Sequence, residues 1–215
     1  MVKVRVNNIE VDVPENSYII EAIEKAGFRV PLLCYLQGLF NEATCRLCVV
    51  KVNGKIAPSC RYPVQDGVVV ETSDSELETI RKINFELILA THRINCWDCT
   101  RKSYCILVSI SKELGVEGIP VCSECPMHDD QCFTRQGITC LGPLTHAGCK
   151  AECILASTPC IGCRGFINNT SIWRNALRFY RENNISKKDL ENTMSIFWHS
   201  LSSKLREIIE EVYGE

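Results

Sequence analysis

The sequence predicts an α+β fold in which a small N-terminal sheet is followed by compact cysteine-rich modules and a helical C-terminal tail. Three observations carry the prediction. Val2, Val4 and Val6 alternate with polar residues, and Ile9, Val11 and Val13 do so again after Asn7-Asn8, which is the two-residue period of a paired, half-buried strand. Eight cysteines crowd between Pro120 and Gly165 among Gly, Pro and Thr, with little apolar periodicity. Beyond Phe166 the cysteines stop and apolar residues recur at helical spacing.

Each element follows in order. Asn16 or Ser17 is placed to cap a short helix that turns Ile19, Ile23 and Ala26 to one side and stops at Gly27. Leu47 to Val52 reads as a strand, Asn53-Gly54 as a turn and Val68 to Thr72 as another strand. Strand, strand, helix and a strand reached by a long loop are compatible with a small β-grasp sheet over residues 1–74. Ser75 and Glu78 have capping-box spacing ahead of a helix carrying Leu77, Ile80, Ile83, Leu87 and Ala90 on one face, which delivers His92 into a cysteine-rich turn. Residues 75–118 form that second module, and residues 119–166 a third. The third buries too little apolar surface to fold alone, so its core is expected to be inorganic. Residues 167–215 are the tail of two amphipathic helices. There Ser186 and Asp189 make a second capping box ahead of a stripe of Leu190, Met194, Phe197, Leu201, Leu205, Ile208 and Val212. The stripe is read as core, with cover by a partner subunit as the alternative.

Fifteen cysteines in 215 residues mean disulfide scaffolding or metal ligation, and the two belong in different redox compartments. The chain opens on a hairpin pattern rather than a charged segment before an apolar one, so secretion is not expected. No apolar run approaches the roughly 20 residues of a membrane span. A cytoplasmic, reducing setting makes metal the reading. The formal charge of −2 counts thiols as neutral, which bound thiolates and metal would alter, so no nucleic-acid partner is inferred from it.

The first four cysteines, Cys34, Cys45, Cys48 and Cys60, have ten, two and eleven residues between them. A loop that wraps a cluster and one distant thiolate that closes the cage are what an iron-sulfur centre needs, and a zinc site is the alternative. Pro31 to Tyr35 (PLLCY), Ala43 to Val49 (ATCRLCV) and Pro58 to Val64 (PSCRYPV) resemble the [2Fe-2S] domain that opens the large iron-sulfur subunit of respiratory complex I and related diaphorase-type hydrogenase subunits. The resemblance implies a ferredoxin-like domain with one [2Fe-2S] cluster on those four cysteines. Next come His92, Cys96, Cys99 and Cys105, written H-x3-C-x2-C-x5-C. By itself this set also suits a tetrahedral zinc ion. In the same family a [4Fe-4S] cluster held by one histidine and three cysteines follows the first domain at this spacing, after a helix. The resemblance ends near residue 112, because the C-x2-C-x2-C-x3-C motifs that follow in the family are absent.

The last eight are Cys122, Cys125, Cys132, Cys140, Cys149, Cys153, Cys160 and Cys163. Cys140 to Gly148 (CLGPLTHAG) and Pro159 to Gly165 (PCIGCRG) resemble the C-terminal cluster region of small subunits of cytoplasmic [NiFe]-hydrogenases, without the flavodoxin-like domain that normally precedes it. That resemblance implies two further [4Fe-4S] clusters on the eight cysteines. Sequence order divides them into Cys122, Cys125, Cys132 and Cys140 for one and Cys149, Cys153, Cys160 and Cys163 for the other, although two-cluster proteins often exchange a final ligand. Every cysteine then has a place.

His128 and His146 are open as ligands, but eight cysteines already suffice. His199 is assigned to surface or packing, and Trp97 to shielding a cluster from water. Arg46, Arg101 and Lys102 are read as solvated surface, with offset of thiolate charge as the alternative. No G-x-G-x-x-G after a strand and no Walker loop is present, so no flavin or nucleotide is expected on this chain and no catalytic residue is assigned.

The whole is read as an electron relay. Its entrance resembles the part that meets a flavoprotein NADH dehydrogenase-type subunit, and its far end the part that faces the small and large subunits of a [NiFe]-hydrogenase. An NAD-linked hydrogenase complex, electron-bifurcating in one form, is the expected setting. The alternatives are the same relay in another oxidoreductase such as a formate dehydrogenase, and a zinc-binding structural or interaction module.

Overall fold

The computed structural model describes residues 1–214 and is an α+β structure. The chain divides into two compact units, Met1–His92 with Glu113–Val116, and Arg93–Lys112 with the residues from Glu117 onward. In the first unit β1 (Val2–Val6) and β2 (Ile9–Val13) form an antiparallel hairpin with Val2 opposite Val13. Helix α1 (Ile19–Lys25) follows, then a two-stranded ribbon of β3 (Tyr35–Leu36) and β4 (Phe40–Asn41). The sheet is completed by β5 (Val49–Val52), β6 (Lys55–Pro58) and β7 (Val68–Glu71) in the order β2-β1-β7-β5-β6. Strand β7 lies parallel to β1 and antiparallel to β5. The alternating valines do what their period requires: Val4, Val6, Val50, Val52, Val68 and Val70 are buried against Ile19, Ile20 and Ile23 of α1. Each such side chain contributes roughly 1.5–3 kcal/mol on burial.

Three readings of this unit change. Helix α1 is capped at Tyr18 rather than Asn16 or Ser17, because the Glu21 carboxylate reaches back to accept the Tyr18 N–H at 3.0 Å. Strand β6 was absent from the sequence reading, yet Asn53 (φ 49°) and Gly54 (φ 77°) turn the chain tightly enough to pair it with β5. Helix α2 (Ser75–Thr91) is capped by Asp74, whose side chain accepts from the Leu77 N–H at 2.8 Å. Its buried face is Leu77, Arg81, Phe85 and Leu89, while Ile83 is 50% and Leu87 62% exposed. The reason is Arg81, which is 5% exposed and donates to the carbonyls of Val49 at 2.7 Å and Thr72 at 2.6 Å. Those strand-end carbonyls would otherwise be buried without a partner.

Helix α3 (Ile106–Leu114) precedes the cysteine-rich segment of the second unit, which contains one short helix, α4 (Glu152–Leu155). Main-chain bonds pin its loops together: Val121 N–H to Thr145 O, Ala147 N–H to Ile119 O, His146 N–H to Gly165 O and Ile167 N–H to Leu144 O. Three helices follow, α5 (Thr170–Glu182), α6 (Lys187–Met194) and α7 (Ser203–Gly214). Most of the terminal stripe is core, as expected: Leu190, Met194, Leu201, Leu205, Ile208 and Val212 are buried, and Phe197 is half-buried. The stripe is not one helix, since a 3-10 segment at Ser195–Ser200 and extended backbone at Leu201 break it. The cysteine-rich segment also has more organic core than its sequence implied, because Leu141 and Leu144 are wholly buried among Trp173, Leu177 and Tyr180. No helix among the described residues is long and apolar enough to cross a membrane.

Candidate iron-sulfur centres

The first four cysteines converge at one end of the sheet. Cys48 and Cys60 are buried, whereas Cys34 and Cys45 are partly exposed. The Cys34 and Cys45 sulfurs lie 3.2 Å apart, and the Cys45 N–H points at the Cys34 sulfur at 3.4 Å. The loop that achieves this holds Ala43 and Arg46 at positive φ, a conformation that non-glycine residues occupy at a cost and that clusters at functional sites. Both the N–H and hydroxyl of Ser59 donate to the Cys48 carbonyl, and the Asn41 amide donates to the Cys60 carbonyl. Burial, with Cys48, Cys34 and Cys45 adding to it, pushes the Cys60 thiol up to about 12. At Cys34 burial also acts upward, but hydrogen bonds from Cys45 and Thr44 outweigh it and hold the thiol below its ordinary value. Four sulfurs thus share one site in which burial makes the Cys45 and Cys60 thiols ionise poorly, and bound iron is what would deprotonate them.

His92 closes α2, its N–H donating to the carbonyls of Ile88 and Leu89. It belongs to the first unit, and Cys96, Cys99 and Cys105 to the second, so its ligation stands on the sequence spacing. The Cys96 thiol is pushed up to about 12 by burial, with Cys105 and Cys99 adding to it and Lys102 opposing. Trp97 is 5% exposed and stacks on Phe179 with centroids 5.7 Å apart, while Arg135 covers the other partner and pairs with Asp98. The Trp97 indole N–H is buried and without a partner, an uncommitted donor inside the C-x2-C loop of the kind that cluster sulfur accepts.

Among the last eight, Cys122, Cys140 and Cys160 are buried, and Cys153 and Cys163 are exposed. Burial raises Cys122 well above its ordinary value, with Cys140, Cys125, Cys96 and Cys132 as its charged neighbours in order. Burial raises Cys125 too, Lys102 opposing and Cys132 adding. Burial raises Cys160, whose sulfur neighbours are Cys149 and Cys163. Cys122, Cys125, Cys132 and Cys140 are therefore brought together, as are Cys149, Cys160 and Cys163. Cys153 sits exposed on α4. The two sets touch, because the Cys160 N–H donates to the Cys140 sulfur at 3.3 Å.

Gly142 fits the same chemistry. A Cβ there would stand 3.3 Å from the Cys122 sulfur and 3.6 Å from that of Cys140, so the missing side chain is what lets the backbone approach the sulfurs. Tyr180, wholly buried, donates its hydroxyl to the Cys140 carbonyl at 2.8 Å. Tyr180 carried no sequence signal, and Gly142 only its place in the CLGPLTHAG motif. Of the residues assigned to surface, Arg46 and Arg101 are exposed, but Lys102 is 6% exposed and the solvated reading is overturned there. His128 is exposed beside the Ser103 hydroxyl at 3.1 Å, His199 is exposed, and His146 has a buried Nδ1 without a partner. Among the described residues no three or more His, Cys, Asp or Glu form a group that holds a single metal ion.

The sheet, its wrapped loop and its four sulfurs define a ferredoxin-like domain, and residues 1–75 match the family of 2Fe-2S iron-sulfur cluster binding domains. The wider relationship is with hydrogenase and complex I subunits. The chain is 33% identical over 127 residues to NADP-reducing hydrogenase subunit HndD of Solidesulfovibrio fructosivorans, covering 56% of this chain and 22% of that one. It is 31% identical over 113 residues to the HoxS gamma subunit of the NAD-reducing hydrogenase of Cupriavidus necator, covering 53% and 48%. It is 34% identical over 116 residues to the mitochondrial NADH-ubiquinone oxidoreductase 78 kDa subunit of Neurospora crassa, covering 53% and 16%. A solved NAD+-reducing [NiFe]-hydrogenase in the H2-reduced state superposes with a TM-score of 0.51 at 28% identity, over 54% of this chain and 49% of that one. The chain thus spans less than half the length of each of these curated relatives.

Proposed function

We propose that this chain is an electron-transfer subunit that relays electrons between a flavin-containing NAD(H) dehydrogenase subunit and a [NiFe]-hydrogenase in a cytoplasmic, multi-subunit complex. The observation that carries the reading is the convergence of Cys34, Cys45, Cys48 and Cys60 in the N-terminal domain, followed by further sulfur groups packed close enough to act on one another. Bound iron-sulfur clusters supply reversible one-electron storage. The chain's own residues do the rest. Four thiolates hold the [2Fe-2S] centre, and His92 with Cys96, Cys99 and Cys105 holds one [4Fe-4S] centre. Cys122, Cys125, Cys132 and Cys140 hold another, and Cys149, Cys153, Cys160 and Cys163 a third. Residues 75–118 and 119–166 are the modules that carry these last three, braced by α5 to α7. Trp97 and Phe179 exclude water beside Cys96, and the exposure of Cys153 and Cys163 supports an outlet for electrons toward a docked partner.

The test is anaerobic iron and sulfide analysis with EPR of the reduced chain, and purification of the native complex. About 14 iron atoms per chain are expected, from one [2Fe-2S] and three [4Fe-4S] clusters. A colourless protein holding only zinc would sink the cluster reading. A native complex lacking both hydrogenase and flavin subunits would sink the placement.

A further inference from the structure

Lys102 opens a 3-10 turn (Lys102–Tyr104) that packs on the 3-10 turn Val121–Ser123 of the next cysteine group. Lys102 and Arg81 are the charged residues buried as a whole among the described residues, and the Glu124 side chain is 3% exposed. The Lys102 ammonium donates to the Met127 carbonyl, and the adjoining Ser103 hydroxyl meets His128 Nε2 at 3.1 Å, so the loop after Cys99 is fastened to the loop after Cys125. Cys105 and Cys125 line one cleft together with Lys102. The one carboxylate in that cleft, Glu124, is taken by Lys112 at 2.8 Å and by the N–H groups of Gly148 and Lys150. No carboxylate among the described residues pairs with Lys102.

A buried ammonium with one carbonyl partner and no counter-ion is unfavourable unless negative charge lies close by. Here sulfur supplies it from two directions. Cys105 and Cys125 both line the Lys102 cleft, and the Lys102 N–H donates to the Cys99 carbonyl at 3.3 Å. These cysteines belong to two different proposed centres.

We propose that Lys102 is the shared counter-ion of two adjacent clusters, the one held through Cys96, Cys99 and Cys105 and the one held through Cys122, Cys125, Cys132 and Cys140. The inference rests on the cluster reading above and goes beyond it, since it assigns a positioning residue that sets the potentials of a pair. An added electron on either cluster is stabilised by the same cation, so both are easier to reduce than their burial alone would make them.

The test is an anaerobic redox titration of the full chain by EPR, comparing wild type with Lys102→Gln, Lys102→Met and Lys102→Arg at equal iron content. In the neutral variants the reduction equilibria of two [4Fe-4S] centres move about tenfold toward the oxidised form, which for one electron is about 59 mV. The third [4Fe-4S] centre and the [2Fe-2S] centre stay in place, and Lys102→Arg restores wild-type potentials. A shift of one centre only, or of none, overturns the proposal. If neither neutral variant retains iron, Lys102→Arg decides: full iron with wild-type potentials supports the shared charge, and loss of iron there too shows a need for shape and overturns it. Wild-type protein without [4Fe-4S] signals would instead fail the cluster reading itself.

Discussion

At the scale of single residues, the polar atoms that hold the sulfur loops are few and committed. Tyr180→Phe removes the one hydroxyl that satisfies the Cys140 carbonyl and leaves that carbonyl buried, at a cost of about 1 to 3 kcal/mol. Anaerobic denaturant unfolding monitored by α5 helicity would measure it. Gly142→Ala has no such slack, because the added methyl meets two sulfurs at 3.3 and 3.6 Å. The expected outcome is loss of one [4Fe-4S] equivalent, about four iron atoms per chain, with the [2Fe-2S] spectrum intact. The cysteine groups were legible in the sequence because their spacing stands out there. Lys102 and Tyr180 were not, since whether a lysine is solvated or a tyrosine buried is decided by segments that lie far away along the chain.

At the scale of elements, α2 shows where periodicity misleads. Ile80, Ile83 and Leu87 looked like the inner face, yet the helix is turned so that Arg81 reaches the ends of β5 and β7. A charged side chain with two carbonyls to satisfy outweighs a modest gain in apolar burial. By contrast, the valine alternation of β1 and β2 and the burial of most of the terminal stripe were read correctly, because in both the apolar period had no polar competitor. Caps give two predictions. Asn169 accepts from the N–H groups of Ser171 and Ile172 at the start of α5, so Asn169→Ala is expected to cost about 1 kcal/mol in denaturant unfolding. Asp74 is held below the usual carboxylate range by Lys51 first and by the Leu77 N–H next. A depressed folded value means that its stabilisation is present above about pH 4 and fades as the pH falls through the lower folded value. Asp74→Asn removes that part of the acid sensitivity, which thermal unfolding below pH 4 would read against the same variant at neutral pH.

At the scale of the whole molecule, each unit has an apolar core of its own, one around α1 and the sheet and one around α5 to α7. The expectation of a wholly inorganic core for residues 119–166 came from counting apolar residues inside that segment. Its partners, Trp173, Leu177 and Tyr180, lie outside it. Anaerobic removal of iron is therefore expected to leave amide protection in Trp173 to Tyr180 while protection collapses between Cys122 and Cys163. Hydrogen exchange would show this, and uniform loss would contradict it.

The uneven burial of the sulfurs has one more consequence, in the order of damage. Cys48 and Cys60 are at most 1% exposed, whereas Cys153 and Cys163 face solvent. Dissolved oxygen and peroxide reach those two first, and thiolates lost to sulfinic or sulfonic acid do not return. On the cluster assignment proposed above, air is expected to dismantle this protein from its C-terminal cysteines inward, leaving the ferredoxin-like domain coloured after the rest has bleached.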